Sequence, residues 1–169
     1  MLLYMNNIII NKKKYKYVFL GSLNLFDFMN KNKKLIKSFI KVAQDNYKKK
    51  SNFGLVSLLI LDEIYTKQNK KVMYLVIFKD NNILTTSRIL YSGKKGYINF
   101  VRTNKKFRGM GMCKRNMKKL IYLSINKLGL NKFSLNVEID NIYAIKCYEK
   151  IGFKITSSNN SEHKMIYKI

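Results

Sequence analysis

Apolar and polar residues alternate loosely from Lys13 to Leu20 and stop at Gly21, the two-residue period of a first strand. From Phe26 to Tyr47 the period lengthens. Phe28, Leu35, Ile36, Phe39, Ile40 and Ala43 recur at helical spacing with lysines on the other side, which predicts one amphipathic helix. Leu55 to Tyr65 is a short apolar run that passes through Asp62 and Glu63 and reads more readily as helix than strand. Val72 to Lys79, Ile83 to Tyr91 and Tyr97 to Val101 then form an antiparallel meander, turned at Asp80-Asn81-Asn82 and at Ser92-Gly93-Lys94-Lys95-Gly96. A long helix follows Gly111, with Cys113, Met117, Leu120, Ile121, Ser124 and Leu128 on one face and Gly129 at its end. Lys132 to Ile139 is a strand and Asn141 to Lys150 a helix stopped by Gly152. Phe153 to Thr156 and Lys164 to Ile169 close the chain as a strand pair.

The length of 169 residues fits a single domain with its own core, and no repeat or Gly/Ser linker divides it. With 47% hydrophobic and 25% charged residues the chain is globular in composition, not disordered. Cys113 and Cys147 form no framework and show no metal-ligand spacing, so reduced thiols are the simpler expectation. His163 has no second histidine to pair with and reads as a surface or packing residue; no metal is expected. The longest apolar run, Leu55 to Leu61 with Ser57 inside it, falls far short of the ~20 residues of a membrane span. The start, MLLYMNNIIINKKK, places its lysines after the apolar part, the wrong order for a secretory signal. A cytoplasmic location without a membrane partner follows by default.

A net charge of +25 draws attention to nucleic acid. Only four of the 34 basic residues are arginines, however: Arg88, Arg102, Arg108 and Arg115. The lysines are spread along the whole chain, and plentiful asparagine and isoleucine with no proline is the imprint of A/T-rich codons. Nucleic-acid binders more often aim a localised arginine-bearing stripe at phosphates and bases. Nucleic acid therefore stays a secondary candidate, while a basic surface favours polyanionic ligands in general.

One segment suits such a ligand. Lys105-Lys106-Phe107-Arg108-Gly109-Met110-Gly111-Met112-Cys113-Lys114 lies between a strand and a helix. Gly109 and Gly111 let the backbone turn tightly and bring its N–H groups close to an anion. The helix that follows leaves its first amides unpaired and starts with a partial positive charge, the requirements of a phosphate or pyrophosphate site. The segment lacks the G-K-[ST] ending of a P-loop and the third glycine of a dinucleotide fingerprint. Alone, it is equally compatible with an ordinary strand-to-helix turn.

Downstream stands Leu135-x-Val137-x-x-x-Asn141-x-x-Ala144-x-x-x-Tyr148-Glu149-Lys150-Ile151-Gly152-Phe153. Together the two segments resemble the GNAT superfamily of N-acetyltransferases. Its signature R-x-x-G-x-G/A reads here Arg108-Gly109-Met110-Gly111-Met112-Cys113, with a cysteine in the last small position, and N-x-x-A-x-x-x-Y-E-K-x-G-F is matched from Asn141 to Phe153. The resemblance covers Val72 to Ile169. A proline frequent in the connection before the arginine is missing.

The resemblance implies an α/β (α+β) fold: a mixed, mostly antiparallel sheet of about six or seven strands, splayed in the middle and flanked by helices. It implies a single domain over 1–169, with 1–71 on the substrate side and 72–169 binding coenzyme A. Acetyl-coenzyme A would be the co-substrate and an amine the acceptor. The turn formed by Arg108, Gly109, Met110, Gly111, Met112, Cys113 and Lys114 would hold the pyrophosphate. Main-chain groups of Phe100, Val101 and Arg102 would pair with the pantetheine arm. Asn141 would cap its helix, with or without a contact to that arm, and Tyr148 would protonate the departing thiolate. Four carboxylates, Asp62, Glu63, Glu138 and Asp140, lie where a base could act; none is singled out. A small amine is favoured over a protein because the chain carries no recognition module. Like charge argues mildly against polyamines and histone tails.

Overall fold

The structure, a computed structural model, describes residues 4–10, 13–44 and 62–169. Eight strands form one sheet in the order β1-β2-β3-β4-β5-β6-β8-β7. They are β1 (Tyr4–Ile10), β2 (Lys13–Gly21), β3 (Lys71–Lys79), β4 (Asn82–Ser92), β5 (Lys95–Thr103), β6 (Lys132–Glu138), β7 (Lys154–Ser158) and β8 (Glu162–Lys168). The sheet is thus one strand larger than the upper expectation, because residues 4–10, assigned to no element from sequence, pair antiparallel with β2. Every neighbouring pair is antiparallel except β5 and β6.

The helices are α1 (Ser22–Lys31), α2 (Lys33–Gln44), α3 (Met112–Leu128) and α4 (Ile142–Glu149), with a further helical stretch at 62–67. The single helix expected from Phe26 onward is two. Asn32 leaves helical geometry (φ −122°, ψ 59°), its side-chain amide donates to Phe28 O at 2.7 Å, and its own carbonyl accepts from Leu35 N at 2.7 Å. An asparagine that offers the backbone an alternative partner ends one helix and opens the next, and the apolar period runs on across the break. The part of the Leu55–Tyr65 run before residue 62 lies outside the described residues.

Two apolar clusters sit on opposite faces of the sheet. Alternation sends Tyr15, Tyr17, Phe19, Met73, Leu75 and Ile77 to the face covered by α3 and α4. Val18, Leu20, Val72, Tyr74 and Val76 meet Leu25, Phe28, Leu35 and Phe39 of α1 and α2 on the other face.

The cysteines correct the sequence expectation. Cys113 in the first turn of α3 and Cys147 in α4 are joined in a disulfide across a sequence separation of 34. Spacing along the chain could not show this. It is the packing of α3 against α4, with β6 between them in sequence, that brings the two sulfurs together.

Candidate active site

The polar turn begins where β5 ends. Asn104 is buried there and fixes the exit: its amide nitrogen donates to Ile83 O at 3.0 Å, its Oδ1 accepts from Lys106 N at 3.1 Å, and its backbone N–H donates to Leu84 O at 2.9 Å. The connection without a proline is therefore pinned by a side chain that the sequence did not single out. A short 3-10 turn, Lys105–Phe107, leads to Arg108, whose Nε donates to Thr103 O at 3.3 Å.

Gly109 and Gly111 have φ of +74° and +71°, left-handed conformations that any other residue adopts at a cost. Gly111 is the N-cap of α3 and brings no side-chain acceptor, and the first turn carries no acidic residue. The first bond of the helix runs from Arg115 N to Gly111 O at 3.2 Å, so the amides of Met112, Cys113 and Lys114 have no intrahelical acceptor. Arg115 Nη1 donates to Met110 O at 2.8 Å and braces the turn from outside. Met112 points its side chain into the core and Cys113 is tied to Cys147, so each can offer an anion its backbone only. An anion at this helix start would be held by main-chain donors and the partial positive charge of the helix.

Beside the turn the sheet opens. β5 and β6 pair in only three places, Lys95 with Lys132, Gly96 with Phe133 and Tyr97 with Ser134, and then part. β5 also breaks register with β4: Thr86 faces Arg102 and Arg88 faces Asn99, leaving Phe100 and Val101 opposite Ser87. Phe100 takes a φ of +51° at this bulge. Two carbonyls here already accept protein donors. Arg102 O accepts from Thr85 Oγ1 at 2.9 Å, and Val101 O from Arg102 Nη1 at 3.1 Å.

α4 supplies Tyr148. Asn141 caps the helix, its Oδ1 accepting from Ala144 N at 3.3 Å. Tyr148 is 7% exposed and its ring stands 6.1 Å from that of Phe153. Burial pushes its phenol up to about 12, and the charge of Arg102 pulls against that rise. Glu149 and Lys150 face solvent.

The four carboxylates separate. Asp62 is 3% exposed and bound on both oxygens, by Arg88 Nη1 at 2.8 Å and by the Tyr74 hydroxyl at 2.8 Å. Arg88 is equally buried and also donates from Nε to Asn99 at 2.8 Å. Burial raises the Tyr74 phenol beyond the range in which it would ionise, with Asp62 adding to the rise and Arg88 opposing it. Glu63 pairs with Lys67 at 3.1 Å on the surface, and Glu138 and Asp140 are exposed at the end of β6. A lone arginine inside the apolar strand sequence Ile83 to Tyr91 was the available sign of this cluster, since a buried guanidinium requires a partner.

The model of the family described as "Acetyltransferase (GNAT) family" matches residues 34–153. The chain belongs to the GNAT acetyltransferase family. The co-substrate of this family is acetyl-coenzyme A. Among curated proteins no sequence is significantly similar. Among solved structures, the N-acetyltransferase PseH of Campylobacter jejuni is similar at a TM-score of 0.60 and 17% identity, over 90% of this chain and 97% of that one. The PaiA N-acetyltransferase of Thermoplasma acidophilum, in complex with coenzyme A, is similar at 0.59 and 15%, over 100% of each chain. The spermidine N-acetyltransferase of Vibrio cholerae, in complex with coenzyme A and spermine, is similar at 0.59 and 14%, over 90% and 95%. At these identities the likeness is one of fold. Among the described residues of this GNAT chain no helix is long and apolar enough to cross a membrane, and no group of three or more His, Cys, Asp or Glu side chains is placed to hold a metal ion.

Proposed function

We propose that this chain transfers the acetyl group of acetyl-coenzyme A to a primary amine of a small molecule, by direct attack within a ternary complex. In this reading the chain is one domain, with residues 72–169 holding the cofactor and residues 1–71 facing the acceptor. The observation that carries it is the parting of β5 and β6 beside the uncapped start of α3, with Tyr148 buried on α4 within the electrostatic reach of Arg102 on β5. Acetyl-coenzyme A supplies an activated thioester whose cleavage leaves a thiolate.

The residues divide the work. Backbone amides of Gly109, Met110, Gly111, Met112, Cys113 and Lys114 hold the pyrophosphate, while the Arg108 N–H closes the 3-10 turn on Lys105 O at 3.3 Å. Main-chain groups of Phe100, Val101 and Arg102 pair with the pantetheine arm, and one N–H polarises the carbonyl. Asn141 caps α4, with or without a contact to the pantetheine arm. Tyr148 donates a proton to the sulfur as the carbon–sulfur bond breaks. The amine must be deprotonated before attack, since alkyl ammonium groups have pKa values of about 10. Asp62, held on both oxygens, is a poor choice of base; Glu63, Glu138, Asp140 or a water chain remains for that step.

A small acceptor is supported by similar structures named for spermidine acetylation, though the charge of +25 works against a polycation. The alternative of a non-catalytic nucleic-acid binder finds no support in the family or the similar structures.

Screening a panel of amines for coenzyme A release tests the reading. Tyr148→Phe should lower kcat about 10²–10⁴-fold with little change in cofactor affinity; unchanged turnover would remove the proton-donor role. Gly111→Val places a β-branched residue at a φ of +71° and should weaken acetyl-coenzyme A binding in calorimetry about 5- to 150-fold, as an αL strain of about 1–3 kcal/mol implies.

A further inference from the structure

Two arginines on neighbouring strands have opposite surroundings. Arg88 on β4 is buried and answered by Asp62, Asn99 and the Tyr74 hydroxyl. Arg102 on β5 is half-buried at the splay, and among the described residues no carboxylate lies within ion-pair distance of it. Its Nη1 is spent on the carbonyl of the preceding residue, its guanidinium lies 5.3 Å from the centre of the Phe100 ring, and its buried Nε has no hydrogen-bond partner among the described residues. A buried donor left unpaired is costly, and a cation beside it doubly so, unless an anion arrives to take both.

The position limits which anion. Arg102 follows the bulge on the strand edge that has parted from β6, and its charge acts on Tyr148 across the gap. With its phenol near 12, Tyr148 is a much weaker acid than a free thiol, whose ordinary pKa is about 8.5. Proton transfer from this phenol to a thiolate is therefore uphill, and a cation beside the sulfur eases it by sharing the charge before the proton arrives. The Arg102 Nε, without a partner on the parted edge of β5, is placed to carry part of that charge.

We propose that the side chain of Arg102 is a catalytic residue of the acyl transfer, its guanidinium stabilising the coenzyme A thiolate alongside the Tyr148 hydroxyl. The inference rests on the cofactor reading given above. As the amine nitrogen bonds to the carbonyl carbon, the carbon–sulfur bond breaks and its electron pair stays on sulfur. Arg102 transfers no proton; it offsets the charge at the moment the charge forms. The thiolate then takes its proton from Tyr148 or from solvent.

The thiol of bound coenzyme A reports this directly. Titrated by the ultraviolet absorbance of the thiolate, coenzyme A bound to the wild-type protein should ionise below the free cofactor. In Arg102→Gln its pKa should rise by about one to three pH units, the effect of losing an adjacent opposite charge. Arg102→Lys should retain part of the effect, and Arg102→Gln should lower kcat while leaving the acceptor KM in place. The wild-type protein alone gives a second readout: its preference for coenzyme A over desulfo-coenzyme A should grow as the pH rises toward the thiol's ordinary range. An unshifted thiol with a pH-independent preference overturns the proposal and leaves the cofactor reading standing. A rise in acceptor KM with no change in the thiol also overturns it, because Arg102 would then serve an anionic group of the acceptor. Failure of the wild-type protein to bind coenzyme A at all would overturn both readings.

Discussion

The glycine turn at 109–111 and the buried cluster around Arg88 lie on adjoining strands or their ends, and they are built by opposite means. The turn uses consecutive residues and backbone groups. Its amides at the start of α3 have no acceptor within the helix, and no acidic side chain in the first turn neutralises them. The Arg88 cluster uses side chains far apart in sequence, Asp62 being 26 residues from Arg88 and 12 from Tyr74, and both oxygens of Asp62 are occupied. A site for a transient polyanion must keep donors open. A charge buried for good must have its partners present before any ligand arrives.

The contrast makes the Arg88 cluster a determinant of stability and the turn a determinant of binding. Its sharpest test is Asp62→Ala, which strands a buried guanidinium and should cost about 3–5 kcal/mol in denaturant unfolding. The coenzyme A affinity of the folded fraction should not change. A double variant, Asp62→Leu with Arg88→Met, should recover most of the loss; if it does not, the cluster does more than satisfy its own charges.

The disulfide is the long-range link of the cofactor side, joining the helix of the glycine turn to the helix of Tyr148. Replacing Cys113 and Cys147 by serine, or reducing the pair, should cost about 2–4 kcal/mol and lower the thermal midpoint. An unchanged midpoint would mean that apolar packing alone holds α3 to α4.

The smallest effect is expected at Asn141→Ala, where loss of one cap should cost about 1 kcal/mol. If calorimetry shows a far larger loss of coenzyme A affinity, Asn141 belongs with the open donors of the turn as well as with the caps.

Much of this division was legible in the residues themselves. The meander, the long helix after Gly111 and the short helix from Asn141 follow from period, caps and turn residues, which act within a few positions of one another. The helix break at Asn32 was not legible, because the apolar period continues through it. Nor was strand β1, whose pairing with β2 is a tertiary outcome of a segment rich in asparagine and isoleucine.

The site divides in the same way. Gly109, Gly111, Asn141 and Tyr148 stand at fixed spacings, and the sequence alone determined that a tight turn, a helix start and a capped short helix would occur there. Asn104 as the anchor of the turn, the tie between Cys113 and Cys147, the pairing of Arg88 with Asp62 and the Arg102 Nε left without a partner among the described residues were decided only by tertiary structure. The physical reason is one of range: a turn or a cap is a contest among neighbouring backbone groups, whereas a disulfide, a buried ion pair or an unanswered charge depends on which distant residues the sheet brings alongside.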